Sequence, residues 1–250
     1  MSRITSIINR VRINIADKKA TRWSDADIIE SINEGILDFV TETKSLKDTL
    51  LVEIEAGVNT YDISDYAIDI VRVQYLNKTI KSYTEAQMHD LDPYWEDQIG
   101  QELEAIVFSD LNKGKFKVYP KITELAANII TQNQVYGGLI DITTDTELFN
   151  LLSAEDMPTQ VNKYMTIYYV KRPAIVEIDS EMEIDADYDT AIVFYVTGML
   201  LRGDTDAQNR SFSAEQLSLY GNVIARAKKS NFNNNNSTSG RATSYNGGFK

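Results

Sequence analysis

The chain has 250 residues, 43% hydrophobic and 25% charged, with a formal net charge of −12 and no cysteine. That length suits one large domain or two small ones with an ample core. Zero Cys excludes disulfides and thiolate metal sites, and the acidic balance argues against a protein that grips nucleic acid, because phosphate binding needs clustered Lys and Arg.

The spacing of Ile4, Ile8, Val11 and Ile15, with Ile7 beside them, predicts a helix over residues 3–16. A polar link, Asp17 to Arg22, follows. Ser24 then stands as N-cap with Asp27 at N3, a capping box, and Trp23 is placed to staple onto Ile28. Ile28, Ile32, Ile36 and Phe39 give this second helix its apolar face, while Glu30, Glu34 and Asp38 face away. Gly35 in its middle costs about 1 kcal/mol relative to Ala, which a closely approaching helix would explain. The two helices are expected to form an antiparallel hairpin.

From Leu50 the period becomes two. Leu50 to Glu55, Thr60 to Ser64 and Ile70 to Leu76 read as strands, with Asn77 and Lys78 in a turn. Ala105 to Ser109 and Lys115 to Tyr119 bracket Asn112-Lys113-Gly114 as a hairpin. Tyr83 to Gly100 reads as a short helix and loop. Residues 121–162 suggest a projecting region, with strands at Ile129 to Tyr136 and Leu139 to Thr143 and a helical turn at Glu147 to Leu152. Lys163 to Lys171 is a strand that Arg172-Pro173 ends.

Helical period returns at Tyr188. Ala191 to Leu201 is apolar all round, so this helix is expected at the centre of a bundle. Asp204 to Arg210 links it to a last helix near Ala214 to Lys229, for which Ser213 and Gln216 suggest a capping box. Leu217, Tyr220, Ile224 and Ala227 form its buried stripe, and Lys228 and Lys229 suit its C-terminal dipole.

Residues 1–215 carry 20 basic against 37 acidic residues, net −17. Residues 216–250 contain no Asp or Glu and carry Arg226, Lys228, Lys229, Arg241 and Lys250. From Asn231 the chain is rich in Asn, Ser, Thr and Gly and cannot bury enough apolar surface to fold alone. Its spaced Phe232, Arg241, Tyr245 and Phe249 suit an arm that gains order on docking. The expected fold class is α+β: a helical bundle from the N-terminal and C-terminal helix pairs, a β-rich insertion, and a disordered or extended C-terminal arm. The expected domains are 1–48 with 185–230 as a discontinuous bundle, 49–184 as the β-rich projection, and 231–250 as the arm.

The sequence offers little for catalysis. The only histidine, His89, sits in a polar run, and a triad or His-based metal site needs convergent partners. Asp204, Asp206, Gln208 and Glu215 have the spacing of a calcium loop, but Asn209 replaces its glycine and Arg210 adds positive charge. The alternative is a polar interhelical loop whose Asp side chains cap backbone N–H groups, with Arg202 and Arg210 paired to Asp204 and Asp206 in one chain or across subunits. Carboxylate pairs such as Glu181/Glu183 and Asp185/Asp187 could serve glycoside hydrolysis, but 37 acids make such pairs by chance. Gly-rich phosphate loops, G-x-S-x-G and H-E-x-x-H are absent from the sequence. The expectation is no enzyme, no cofactor and no metal. The longest apolar run, Ala191 to Val196, is too short to span a bilayer, and the first residues do not lead into a signal-peptide core. Synthesis and use without export are expected.

Several stretches in fixed order carry a resemblance. They are Arg22-Trp23-Ser24-Asp25, Ile32-Asn33-Glu34-Gly35, Tyr61-Asp62-Ile63, Ile70-Val71-Arg72-Val73, Leu91-Asp92-Pro93-Tyr94-Trp95 and Lys117-Val118-Tyr119-Pro120. Tyr169-Val170-Lys171-Arg172-Pro173, Tyr188-Asp189-Thr190-Ala191 and the Asp204 to Arg210 loop follow. Together, over residues 3–230, they resemble tailed-phage head-to-tail adaptor (connector) proteins. The resemblance implies a structural virion protein at the head–tail junction, in a ring of roughly twelve copies with closed cyclic symmetry. It implies the portal protein and a tail tube or nozzle protein as partners, DNA passing through without specific binding, and no membrane. The arm residues Phe232, Arg241, Tyr245 and Phe249 would dock on the portal, and Trp23, Arg202, Asp204, Asp206 and Arg210 would serve a subunit interface or helix-loop pairing. Two alternatives stay open: a tail-tube or tail-completion component, and a virion-associated cell-wall hydrolase using a carboxylate pair.

Overall fold

The computed structural model describes residues 2–76, 78–109, 114–123 and 164–239, with side chains of the last helix described to Ser230. The fold is α+β, and the chain divides into two compact units, 1–46 with 172–250 and 47–171. Residues 172–184, expected in the β-rich projection, belong instead to the helical unit. The sequence-based turn at Asn77, the turn at Asn112-Lys113, the stretch 124–162 and the arm residues Arg241, Tyr245 and Phe249 lie outside the described residues, as does the Phe232 side chain.

The helical unit is built on α1 (Arg3–Asn14), α2 (Asp25–Thr43), α4 (Asp189–Arg202) and α5 (Ala207–Ser239). The all-apolar α4 is the hub, burying Ile192, Val193, Val196, Leu200 and Leu201. Helices α1 and α2 pack chiefly on α4 and less on each other. The reason is α4 itself, whose apolar residues on every side can satisfy both stripes at once. Ile4, Ile7 and Val11 of α1 and Ile28, Ile32 and Phe39 of α2 are fully buried. Each buried side chain of this kind contributes about 1.5–3 kcal/mol.

Gly35 is where α2 and α4 approach closely. A Cβ there would stand 2.8 Å from Cδ1 of Tyr195, so a side chain would collide with the ring. The Ser24–Asp27 capping box at the start of α2 is formed, with Asp27 accepting from Ser24 N–H at 2.8 Å. The box expected at Ser213 is not. Helix α5 starts earlier, at Ala207, and Ser213 lies inside it, buried and donating to the Gly198 carbonyl at 2.6 Å. The helix also continues to Ser239, so the first nine residues of the expected arm are helical.

A strap, residues 172–188, runs over this unit without regular structure apart from a short 3₁₀ turn at Ala186–Tyr188. Pro173 prevents the preceding strand from continuing. The strap buries Val176, Met182 and Ile184 and is pinned at three points. Asn33 brackets Val176, accepting from its N–H at 2.8 Å and donating to its carbonyl at 3.1 Å. Arg3 donates to the Ile184 carbonyl at 2.8 Å and to the Asp189 carboxylate at 2.5 Å. Ser2 Oγ donates to the Ile178 carbonyl at 2.6 Å.

Among its described residues the second unit holds two four-stranded sheets. In the first, strands run in the order β1 (Lys47–Glu53), β10 (Tyr164–Lys171), β3 (Ala67–Tyr75), β4 (Lys78–Thr79). In the second the order is β2 (Thr60–Asp62), β8 (Lys115–Tyr119), β7 (Ala105–Phe108), β5 (Lys81–Thr84). A third pairing joins β6 (Ile99–Gly100) to β9 (Lys121–Ile122). The late strand β10 inserts between β1 and β3, setting Ile167 opposite both Leu50 and Val73. Strands β7 and β8 form the antiparallel pair read from the sequence. The two sheets share one core, including Ile106, Phe116, Met165 and Ile167. Helix α3 (Glu85–Leu91) lies in the crossover from β5 to its parallel neighbour β7.

Candidate functional site

Of the residues singled out from the sequence, Trp23, Asp204 and Asp206 lie in the helical unit, where the α1–α2 link meets the α4–α5 link. The organising group is one the sequence reading passed over. Asp17, in the polar link, is buried and accepts from the backbone N–H groups of Thr21 (2.8 Å), Arg22 (3.0 Å) and Trp23 (2.9 Å). Thr21 Oγ1 donates to it as well, at 2.8 Å. These bonds, the one from Trp23 foremost, hold the Asp17 carboxyl well below the usual carboxylate range against the opposing effect of burial. Arg12, itself buried, lies 3.6 Å from Asp17, pairs with Asp25 and donates to the Trp23 carbonyl at 3.0 Å. The link is thus wrapped around one carboxylate and one guanidinium, with most of its backbone N–H groups satisfied.

Trp23 is half-buried. Its backbone is fixed from both sides by Asp17 and Arg12, and the Arg22 guanidinium lies 5.4 Å over its ring. Its Nε1 is buried and has no hydrogen-bond partner among the described residues.

Asp204 is buried, and its charge partner is Arg22. Arg22 donates to Oδ2 at 2.7 Å, Asn209 donates to the same oxygen at 2.7 Å, and the Asp206 N–H reaches Oδ1 at 3.2 Å. Arg22, then these neighbours, lower the Asp204 carboxyl to a pKa of about 2. Asp206 accepts from the Gln208 N–H at 2.8 Å, immediately ahead of α5. Asp204 and Asp206 therefore cap backbone groups, as one sequence alternative held. The pairing of Arg202 and Arg210 with them does not occur within the chain. Both arginines are exposed and make no ion pair among the described residues, because Arg22 reaches Asp204 first from the α1–α2 link. Lys18 and Lys19, in the α1–α2 link, are exposed.

Sequence reasoning missed Arg12, Asp17, Arg22, Arg3 and Asn33. An Asp followed by Thr, Arg and Trp four to six positions later carries a faint signal for a side-chain-capped turn. Arg3 and Asn33 carry none, since their partners lie more than 140 positions away.

The base of the arm is anchored through α5. Tyr220 donates to Asp38 at 2.6 Å, and burial, with that bond, pushes the phenol far above its ordinary value. Lys228 meets Glu42 of α2 at 2.5 Å. His89, outside this unit, packs edge-on against Trp95 at 6.0 Å between ring centroids. Among the described residues no helix is long and apolar enough to cross a membrane.

The arrangement pairs charges, caps helices and fixes loops. Among the described residues it brings together no nucleophile and base. A family model described as SU10 adaptor protein matches residues 2–243. No curated protein matches the chain. The chain belongs to the SU10 adaptor protein family, a structural family of phage head-to-tail adaptors whose place is the virion's head–tail junction and whose partners are portal and tail proteins.

Proposed function

We propose that the protein closes into a ring of roughly twelve copies between portal and tail, and that the ring lines a passage for DNA. The observation that carries this is the charge division along the chain, a body of net −17 followed by an acid-free segment of +5. An acidic wall lets DNA pass without sticking, because like charge suppresses adsorption. The arm from Asn231, helical to Ser239, docks on the portal, with Phe232, Tyr245 and Phe249 as anchors and Arg241 meeting an acidic rim. Trp23, Arg202, Asp204, Asp206 and Arg210 mark the end of the helical unit that faces a neighbouring subunit. Exposed, unpaired Arg202 and Arg210 support that role, since they are free to meet a neighbour's carboxylates. Asp204 and Trp23 support it indirectly, by holding the loops in place.

Ring closure depends on the portal. Like-charge repulsion and the entropy of ordering the arm both oppose a free ring. Light scattering should find monomer for the isolated protein and a large complex after portal is added. A stable ring without any partner sinks the portal dependence. Deleting Asn231 to Lys250 should leave the melting point of the rest nearly unchanged and abolish capture on portal-filled heads. Capture as tight as that of the full chain would refute the docking role of the arm.

A further inference from the structure

In the second unit, the crossover from β5 to β7 displays apolar side chains on a fixed backbone. Leu91, Tyr94 and Ile99 are 65%, 73% and 65% exposed, and Pro93 beside Tyr94 is exposed too. Single exposed apolar residues are ordinary, but four within nine positions are not.

The segment beneath them is rigid. Thr84 and Gln87 form a capping box at the start of α3. Asp92 accepts from the Tyr94 N–H at 2.9 Å, and its own N–H donates to the Met88 carbonyl at 2.9 Å. Trp95 is almost wholly buried in a small cluster with Met88 and Val107. Lys117 lies 5.3 Å over its ring and holds Glu96 at 2.7 Å and Glu85 at 3.7 Å. Gln98 accepts from the Lys121 N–H at 2.9 Å, tying the end of the segment to β9. Docking here has little ordering entropy to overcome.

The segment itself carries one sign of charge, and Lys117 of β8 pairs with two of its carboxylates, Glu85 and Glu96. Residues 85–104 contain seven carboxylates and no Lys or Arg. Asp90 and Asp97 are exposed and form no ion pair among the described residues. Such a field repels nucleic acid, and it repels the same face of a second copy.

We propose that this surface docks the adaptor's tail-side neighbour, through a segment that sets a large apolar side chain among Lys and Arg residues. Leu91, Tyr94 and Ile99 supply the apolar contact, and the carboxylates meet the cations around it. This rests on the adaptor function proposed above. There the arm brings cations to an acidic rim on the portal, so an acidic surface suits a different neighbour.

The test uses the full chain with the purified tail protein and the purified portal of the same virion, by interferometry at low and high salt. The variants are Leu91→Ser/Ile99→Ser and Asp90→Lys/Asp97→Lys, all at exposed positions. Each should weaken tail-protein binding at least about tenfold while leaving portal capture and the melting temperature unchanged, and salt should weaken the wild-type complex. Unchanged tail-protein affinity in both variants overturns the proposal. So does a loss confined to portal capture, or one confined to self-association in sedimentation, which would make a second copy the occupant. If the wild-type protein binds neither portal nor tail protein, the adaptor function is refuted and this proposal falls with it.

Discussion

Asn33→Ala should detach the strap from α2. The Asn33 amide is the only side chain among the described residues that meets both backbone groups of Val176, at 2.8 and 3.1 Å, and Val176 is 3% exposed. Truncation leaves one donor and one acceptor without partners. A fully buried group left so costs about 1–3 kcal/mol, and the partial burial of these bonds favours the low end. Alanine returns about 0.5 kcal/mol through better helix propensity in α2. The net loss is about 1.5–2 kcal/mol, equivalent to a fall of roughly 4–8 °C in the melting of the helical unit. Thermal melts give the total, and hydrogen exchange at the Val176 amide locates it. Exchange there should accelerate in Asn33→Ala, whereas Asn33→Asp, which keeps the acceptor and loses the donor, should protect that amide while still destabilising. A variant Asn33→Ala with an unchanged melt and unchanged exchange at Val176 would refute the bracket.

Gly198→Ala should destabilise by about 1–3 kcal/mol although alanine is the better helix former, because the added Cβ would stand 2.7 Å from Leu217 Cγ and 3.3 Å from the Ser213 carbonyl; a neutral or stabilising result in urea would show that α5 can shift outward. Trp95→Ala should cost about 3–5 kcal/mol and half-buried Trp23→Ala about 1–3, so equal losses in chemical denaturation would mean that Trp23 is as deeply packed as Trp95. The folded-state carboxyls of Asp17 and Asp204 are depressed, so the stability they add is fully present above the unfolded value of 3.8 and is lost as pH falls below it, for Asp204 through about 2. Urea midpoints between pH 5 and pH 2 should therefore fall less steeply for Asp204→Asn than for wild type, and parallel curves would show that Asp204 does not titrate low.

Much of the helical unit was legible because its signals are local. Ser24 and Asp27 are three residues apart, and their capping box formed as read. Gly35 in an otherwise good helix pointed to a close neighbour, and Tyr195 is that neighbour. The all-round apolar run of α4 placed it at the centre. The start of α5 was misread because Ser213 and Gln216 have capping-box spacing, yet Asp206 already caps the backbone seven residues earlier and Ser213 turns inward to Gly198. Arg202 and Arg210 looked like the partners of Asp204 only because they are its neighbours in sequence.

What the sequence determined alone is whatever depends on period, composition and nearest neighbours: the helix and strand segments, the mixed α+β class, the charge division at Glu215 and the family resemblance. Only the tertiary structure decided which distant groups meet. It placed β10 between β1 and β3, paired Arg22 with Asp204 across 182 positions, and closed Asn33 on Val176 across 143. Local pattern reflects which face of an element is apolar, and it is silent on which of several apolar faces or unpaired polar groups becomes the partner. That choice is made when packing brings them within hydrogen-bond reach, where an unpaired buried group is too costly to leave.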